Sequence, residues 1–450
     1  MLQTVDVPVW LLVLLVAFAT VTALSHFLVP SVRWFFRRRL ERVVAQLNTR
    51  LERPIQPFKL ARRHDMIERL IYDPQVAQAV SEHASETGVP ESVAFEQARR
   101  YAREIVPSFS ASAYFGFATR AARRFGNAFY RVRLGHYDDV GIRNIDPDAT
   151  IVFVMNHRSN MDYVLVTYLA ADRSALSYAV GEWAQVWPLS RLIRAMGAYF
   201  IRRESRNELY RRVLARYVAL ATRAGVTQAM FPEGGLSLTG GLAPPKLGLL
   251  KYITADFDPA GRDVVFVPVA LNYDHVLEDR ILIAATGASE RRFKAKISVI
   301  FGKSLHQIWL RMSGQFHRFG YAAVSFGAPL SLSVYQKSSQ DIDMTDLAQV
   351  LMHRIGAIVP VLPVPAVAWM LTRNGPMTRT ELEVGLARLV DRIPDAHVHL
   401  PRNNRGYAVE VATRQLVRRG ILALQDDVFH PVAEQNDVLE YYANSIRHLT

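Results

Sequence analysis

Residues 151–166 read IVFVMNHRSNMDYVLV, and the fold expected for the whole chain is worked outward from this stretch. Its first five residues are apolar and rich in β-branched side chains, which is typical of a buried strand ending at Met155. Ser159 follows as a candidate helix N-cap, and Asp162 stands three residues later, a pattern that resembles a capping box and predicts a helix start. His157 is therefore expected in the short connection between a strand and a helix.

The spacing of His157 and Asp162 suggests an acid–base pair. From the first turn of the helix the Asp162 carboxylate can reach back to the imidazole and fix its tautomer, so that the other ring nitrogen serves as a base. The alternative is that Asp162 only caps the helix and His157 is an ordinary loop histidine. The catalytic interpretation requires that the ring lie close to Asp162 and open into a cleft.

Short β-rich runs alternate with helical periods around this stretch, which predicts an α/β domain on a mainly parallel sheet flanked by helices. Ligands of such sheets bind at loops that leave the carboxyl ends of strands. The expected strands are IVFVM (151–155), LSYAV (176–180), AYFIRR (198–203), QAMFP (228–232), VVFVPVAL (264–271) and ISVIFG (297–302).

Two of the strand exits have residues suited to an anion. Arginine binds phosphate bidentately, and glycine lets backbone N–H groups approach an anion closely. Each loop alone also has an ordinary explanation as a solvated arginine pair or a simple turn, and neither matches a Walker or dinucleotide motif. The candidate binding residues are Arg202, Arg203, Glu233, Gly234, Gly235, Ser237 and Lys246.

Composition narrows the functional classes. The 450 residues are 50% hydrophobic and 21% charged, which excludes a wholly disordered or fibrous chain. The net charge of +13 favours a polyanionic partner, whether nucleic acid, anionic lipid or a phosphorylated substrate. The absence of cysteine rules out disulfides, thiolate nucleophiles and cysteine-ligated metals. No metal site and no cofactor are expected.

Residues 9–29, VWLLVLLVAFATVTALSHFLV, contain no formal charge and would span about 31 Å as a helix, which predicts one transmembrane anchor in residues 1–30. A signal peptide is the alternative. Arginines follow the segment, so the rest of the chain is expected in the cytoplasm, as in a single-pass protein of a bacterial inner membrane. The phospholipid bilayer is then an expected partner.

The remaining regions are expected to be mostly helical. Residues 31–135 form a helical, basic, membrane-proximal region, in which the aromatic and arginine-rich stretch 108–135 suits either an anionic bilayer or packing on the next domain. Residues 136–335 form the catalytic domain, and 331–341 a linker. Residues 336–450 form a helical C-terminal region with some features of a winged helix. Nucleic-acid binding is not expected, because residues 380–432 contain about as many acids as bases.

Four segments in this order resemble the sequence blocks of the glycerolipid acyltransferase superfamily, of the His-X4-Asp type: NHRSNMD (156–162), GAYFIRR (197–203), FPEGGLSLTG (231–240) and VPVALNYD (267–274). They look closest to its bacterial glycerol-3-phosphate acyltransferase branch, as do APPKLGLL (243–250) and the tail LEYYANSIRHL (439–449). The resemblance implies transfer of a fatty acyl chain from acyl-CoA or acyl-carrier protein to a hydroxyl of glycerol 3-phosphate in phospholipid synthesis.

The same resemblance implies roles for individual residues. His157 would be the general base and Asp162 its orienter. Arg202 and the Glu233–Gly234 loop would belong to the acceptor site, and 267–269 would line the acyl side. Backbone donors near the helix start are expected to stabilise the oxyanion.

One departure from the family pattern concerns the acceptor. The third block usually has arginines where this chain has Leu236 and Leu238. Leucine cannot bind phosphate, so either other cations replace the arginines or the acceptor differs. A lysophospholipid (1-acylglycerol-3-phosphate) acceptor is therefore the alternative within the enzyme class, and a non-catalytic, membrane-tethered lipid-binding homologue is the alternative outside it.

Overall fold

The computed structural model describes residues 8–18, 20, 42, 44–49, 51, 53–170, 175–181, 189–202, 207–286, 319–339 and 342–450. The chain divides into two compact units, Met1–Ile55 and Gln56–Thr450. In the first unit, residues 9–18 are helical. No helix among the described residues is long and apolar enough to cross a membrane. The transmembrane helix predicted at 9–29 is thus unsupported, and its second half, 21–29, lies outside the described residues.

The strands of the second unit are, in chain order, β1 (Arg131–Tyr137), β2 (Thr150–Met155), β3 (Ser177–Gly181), β4 (Tyr199–Ile201), β5 (Gln228–Met230), β6 (Val264–Tyr273), β7 (Tyr321–Phe326), β8 (Leu330–Ser331), β9 (Met377–Thr378), β10 (Leu422–Gln425) and β11 (Val428–Pro431).

The helices among the described residues of this unit are α1 (Pro57–Leu60), α2 (Arg63–Ile71), α3 (Pro74–Thr87), α4 (Glu91–Ile105), α5 (Thr119–Phe129), α6 (Asp139–Arg143), α7 (Met161–Ala170), α8 (Leu189–Ala195), α9 (Glu208–Arg223), α10 (Gly248–Thr254), α11 (Asp279–Ala285), α12 (Leu332–Ser339), α13 (Met344–Ala357), α14 (Pro363–Asn374), α15 (Arg379–Arg392), α16 (Arg405–Arg418) and α17 (Asn436–Asn444). A π-helical segment, Ser112–Ala118, leads directly into α5.

The main sheet has the strand order β1-β7-β6-β2-β5-β3-β4, with β8 on β6. The run β6-β2-β5-β3-β4 is parallel, and β7 and β8 are antiparallel to β6. Every residue of β2 and of β6 is buried, as expected of central strands with helices on both faces. The predicted α/β fold on a mainly parallel sheet is confirmed.

Pro268 lies inside β6, where a missing backbone N–H would ordinarily break the ladder. Val265 and Phe266 pair with β8, and pairing with β7 begins at Val269. Pro268 therefore falls where β6 changes partners on that side, so the missing donor interrupts neither antiparallel pairing.

Several boundaries differ from the predictions. The basic helix expected up to residue 135 ends at Phe129, and β1 then joins the sheet beside β7. The linker expected at 331–341 is helix α12 over most of its length. The strand expected at 297–302 lies outside the described residues.

The C-terminal region is not purely helical. It contains a small antiparallel sheet, β10-β11-β9, in addition to helices α14, α15 and α16. This order of helices and strands agrees with the winged-helix features of the sequence. Helix α14 is mostly buried and packs against α16 and α17, so the region shares the main core.

Candidate active site

The candidate site lies at the carboxyl edge of the parallel strands. His157 follows β2, Glu233 follows β5, and Arg202 follows β4. Because these strands are parallel, their carboxyl ends meet at one edge of the sheet, as the sequence predicted.

The His157 ring lies directly against Asp162. Its Nδ1 is 2.8 Å from Asp162 Oδ2, and the two side chains are 1% and 0% exposed. A carboxylate oxygen accepts, so Nδ1 donates and Nε2 is the nitrogen directed away from Asp162. The predicted acid–base geometry is present.

Asp162 also holds the backbone of the turn before α7. Its Oδ2 accepts from the backbone N–H of Arg158 at 2.7 Å and of Ser159 at 3.1 Å, and its Oδ1 accepts from the Tyr273 hydroxyl at 2.5 Å. The helix-capping role and the orienting role of Asp162 are thus both present rather than being alternatives.

Backbone donors near the helix start, which were expected to stabilise the oxyanion, are occupied in this turn by groups of the protein itself. The N–H groups of Arg158 and Ser159 are bound by Asp162, that of Asn160 donates to Glu278, and that of Met161 donates to Ser159 Oγ. Two buried carboxylates and the Ser159 hydroxyl thus satisfy N–H groups that a helix start leaves without partners.

Glu278, from a distant loop, is a second buried carboxylate that contacts this turn. It accepts from Ser159 Oγ at 2.8 Å, and its other oxygen accepts from the Asn160 backbone N–H at 3.2 Å and from Asn160 Nδ2 at 3.1 Å. Burial raises the pKa of Glu278, and these hydrogen bonds act in the opposite direction. Glu278 therefore holds two of the three residues that link His157 to α7.

The His157 ring is enclosed by aromatic side chains rather than open to solvent. The Phe231 ring stacks on it with a centroid distance of 3.9 Å, and the Tyr163 ring meets it edge-on at 5.5 Å. The sequence-based expectation of a ring open to a cleft is not met, because Phe231, at the exit of β5, covers the imidazole.

The glycine-rich loop after β5 is tied to the histidine turn. Ser237 donates its backbone N–H to the His157 carbonyl at 2.8 Å, and its hydroxyl donates to the Gly241 carbonyl at 2.6 Å. Gly234 has φ +69°, and a Cβ there would lie 2.7 Å from Lys246 Cδ. Of these candidates, Ser237 is thereby brought beside His157 and Gly234 lies beside Lys246, while Gly235 continues the same turn.

Glu233 and the two leucines of this loop have different surroundings. Burial raises the pKa of Glu233 to about 8, against the opposing effect of the Arg158 charge. Leu236 and Leu238 are half-buried and pack against the main hydrophobic core. The positions where the family has arginines are therefore part of the packing in this chain.

Arg202 does not lie beside His157. Strand β4 is three positions from β2, which corresponds to about 14 Å at the usual strand spacing. Arg202 forms a two-point ion pair with Glu104 of α4, at 2.9 and 2.5 Å, between the rings of Tyr101 and Tyr210. Arg202 is thus ion-paired with a residue of α4. Arg203 lies outside the described residues.

The C-terminal segment contributes contacts that the sequence did not reveal. Arg158, 1% exposed, donates from Nη2 to the Ser445 carbonyl at 3.1 Å, and Asn444 Nδ2 donates to the Thr239 carbonyl at 3.0 Å. A Cβ at Gly240 would lie 1.8 Å from the Tyr441 carbonyl oxygen. The tail therefore closes over both the histidine turn and the glycine-rich loop.

Tyr273 and Glu278 are two further site residues that sequence reasoning missed. Tyr273 ends β6, the strand beside β2, so its position at a strand exit was an available signal. Glu278 stands in a loop 119 residues from Ser159, and no local pattern links the two.

Comparison with known proteins identifies families that match two parts of the chain. Residues 137–272 match the family described as Acyltransferase, and residues 304–450 match the glycerol-3-phosphate acyltransferase C-terminal region. The chain contains an acyltransferase-family domain. The resemblance drawn from the sequence blocks is confirmed, and His157, Asp162 and the glycine-rich loop all lie in this domain.

The relatives are longer than this chain. It is 28% identical over 426 residues to the glycerol-3-phosphate acyltransferase of Pseudomonas putida (strain W619), covering 87% of this chain and 49% of the relative. The Alteromonas mediterranea enzyme of the same name is 24% identical over 420 residues, with 87% and 50% covered. The chain thus spans about half the length of the curated relatives it matches.

A solved structure also matches, the 1-acyl-sn-glycerophosphate (LPA) acyltransferase PlsC from Thermotoga maritima. It is 17% identical, with 58% of this chain and 83% of that chain covered and a TM-score of 0.30. At that score the match adds no argument about the fold.

Proposed function

We propose that this chain is an O-acyltransferase that moves a fatty acyl chain from a thioester, acyl-CoA or acyl-carrier protein, to a hydroxyl of glycerol 3-phosphate. The observation that supports it is the 2.8 Å contact between His157 Nδ1 and Asp162 Oδ2 inside an acyltransferase-family domain. The names of the curated relatives support the acceptor.

In the proposed reaction His157 Nε2 takes the proton of the acceptor hydroxyl as its oxygen attacks the thioester carbonyl carbon. The tetrahedral intermediate collapses with cleavage of the carbon–sulfur bond, and the imidazolium returns the proton to the departing thiolate. The Asp162 charge stabilises the imidazolium in a buried setting, where an ion pair is stronger than in water. This chemistry requires no cofactor beyond the thioester.

The His157 ring does not open into a cleft in this structure, so the proposed reaction additionally requires side-chain movement that admits the substrate. Phe231 stacks on the imidazole, which is itself 1% exposed. Because the whole ring is buried, an acceptor hydroxyl reaches Nε2 only after side chains around the ring move, and Phe231 and Tyr163 are the aromatic neighbours that contact it. Rotation of Phe231 would uncover the ring from the side of the glycine-rich loop.

The cation that receives the acceptor phosphate is proposed to be Lys246. The leucines at 236 and 238 pack on the core, and Arg202 is paired with Glu104. Lys246 is exposed and its side chain lies over Gly234. A lysine can bind phosphate as a point charge without the two-point geometry of arginine.

The test is a thioester-consumption assay with purified full chain and three acceptors: glycerol 3-phosphate, lysophosphatidate and an uncharged lysolipid, with products identified by mass spectrometry. His157→Ala should lower turnover at least about 100-fold, since general-base catalysis contributes roughly 10²–10⁴-fold. His64→Ala, at an exposed histidine, is the matched control.

The outcomes separate the alternatives. Preference for lysophosphatidate would replace the proposed acceptor while keeping the chemistry. Release of no free thiol with any acceptor would favour a non-catalytic homologue. A His157→Ala variant with near-parental turnover would remove the proposed base.

A further inference from the structure

The segment formed by the π-helix and α5, residues 112–129, has two different faces. Ala118, Ala122 and Phe129 are buried, and Gly126 approaches α7 so closely that a Cβ there would lie 3.4 Å from Leu165 Cδ2. This inner face packs along α7, the helix that starts at the histidine turn. Helix α5 is thus attached to the candidate active site through a single neighbouring helix.

The outer face exposes aromatic rings among arginines. Phe117 is 60% exposed and Phe125 is 46% exposed. Arg120 and Arg124 are exposed on the same side at helical spacing. No acidic residue occurs in the sequence between Glu104 and Asp138. We call these four residues the Phe–Arg face.

The π-helix explains why the aromatic residues of this segment divide between two faces. A π turn adds residues to each turn, so a stripe that follows regular α-helical spacing is rotated out of line. Tyr114 and Phe129 point inward and are buried, whereas Phe117 and Phe125 remain outside. The inward residues therefore fit the interpretation that this stretch packs on the next domain, and the outward residues are the ones available for surface binding.

We infer that the Phe–Arg face docks on an anionic lipid bilayer. Phenylalanine has no polar atom and is best placed among acyl chains, while arginine at the same level meets the phosphate headgroups. Phe117 and Phe125 are eight residues apart, about 12 Å along a helix. Two exposed rings at this separation form an extended strip that suits a flat bilayer, whereas a protein pocket usually receives one aromatic side chain.

Docking of this kind fixes how the catalytic turn meets the membrane. Packed helices lie about 10 Å apart, so α7 and the turn after β2 would lie within about one helix diameter of the headgroups. A lipophilic thioester or product could then pass between the bilayer and the site without crossing water. This inference goes beyond the proposed reaction and does not depend on it.

The test uses the absence of native cysteine. Phe117→Cys and Phe125→Cys variants of the full chain are labelled with the environment-sensitive fluorophore NBD and titrated with phosphatidylcholine vesicles, with or without phosphatidylglycerol. Val384→Cys on α15 is the matched control, because Val384 is also 46% exposed. A blue shift at 117 and 125, but not at 384, is expected with phosphatidylglycerol vesicles.

The arginines are tested in the Phe125→Cys background. Arg120→Gln with Arg124→Gln should raise the vesicle concentration for half the shift about 30-fold. The inference is overturned if neither label shifts, if the Val384→Cys label shifts equally, or if the arginine substitutions have no effect. A shift caused by acyl-carrier protein without vesicles would overturn it in favour of a protein partner. Because the readout is fluorescence, these outcomes are independent of whether acyl transfer occurs.

Discussion

Asp162→Asn removes the negative charge next to the His157 imidazole while keeping a side chain of nearly the same shape. Oδ2 of Asp162 accepts from His157 Nδ1 and from the backbone N–H groups of Arg158 and Ser159. The backbone N–H groups can only donate, so the asparagine oxygen must take the Oδ2 position and its NH2 must face the Tyr273 hydroxyl. The His157 ring should therefore keep its orientation; the ion pair is lost, and the Tyr273 hydroxyl must change from donor to acceptor.

The size of the effect follows from the geometry. With 2.8 Å between nitrogen and oxygen, the two charge centres are about 4 Å apart, and at an effective dielectric constant near 20 their interaction is about 4 kcal/mol. The interaction exists only while the imidazolium is present, so its loss raises the barrier. Turnover should fall about 100- to 1,000-fold, with little change in KM.

The assay is thiol release over a range of pH, together with thermal unfolding. Loss of the carboxylate destabilises the imidazolium, so the acidic limb of the rate profile should move to lower pH. Asp139→Asn is the matched control, because Asp139 makes an exposed ion pair with Arg143 worth about 0–1 kcal/mol. A folded Asp162→Asn variant that kept more than about a tenth of parental turnover would refute the reasoning.

Three further predictions concern residues that support the site. Glu278→Ala removes the acceptor of three hydrogen bonds from the turn after His157. The variant should have a lower kcat, and its free energy of unfolding should fall by about 3 kcal/mol, with partial recovery of both in Glu278→Gln. An unchanged kcat would contradict the role. Gly240→Ala should lose more than about 2 kcal/mol in denaturant unfolding, because φ is +79° and a Cβ would lie 1.8 Å from a carbonyl oxygen, whereas Gly248→Ala, with nothing within 4 Å, should not. Burial raises the pKa of Asp274 to about 7; the unfolded chain loses this proton first, so stability should fall by up to about 4 kcal/mol between pH 4 and 7, a slope that Asp274→Asn should flatten.

The central strands could be predicted because strands buried on both faces consist almost entirely of apolar residues. Strands β2 and β6 are runs of apolar, β-branched residues, and each is buried throughout. The edge strand β1, RVRLGHY, is half-buried or exposed at every residue and contains no such apolar run, so the pattern indicated a continuing helix. Its partner β7 lies 190 residues later, and pairing at that separation leaves no local signal.

The loops after the strands show the same division. Sequence spacing predicted the pair of His157 and Asp162, because both belong to one strand–turn–helix unit. It also placed Arg202 near this pair, because His157 and Arg202 each follow a strand of the parallel sheet. Strand order decided otherwise, because β4 lies at the edge of the sheet and Arg202 pairs with Glu104 of α4.

The sequence alone determined the α/β class, the acyltransferase-family blocks and the imidazole–carboxylate pair, because each depends on residues that are near neighbours in the chain. The tertiary structure decided which other groups surround that pair: Tyr273, Glu278, Phe231 and the Ser445 carbonyl arrive from distant segments. Buried polar groups must find hydrogen-bond partners wherever packing brings them, and that packing is a property of the whole fold.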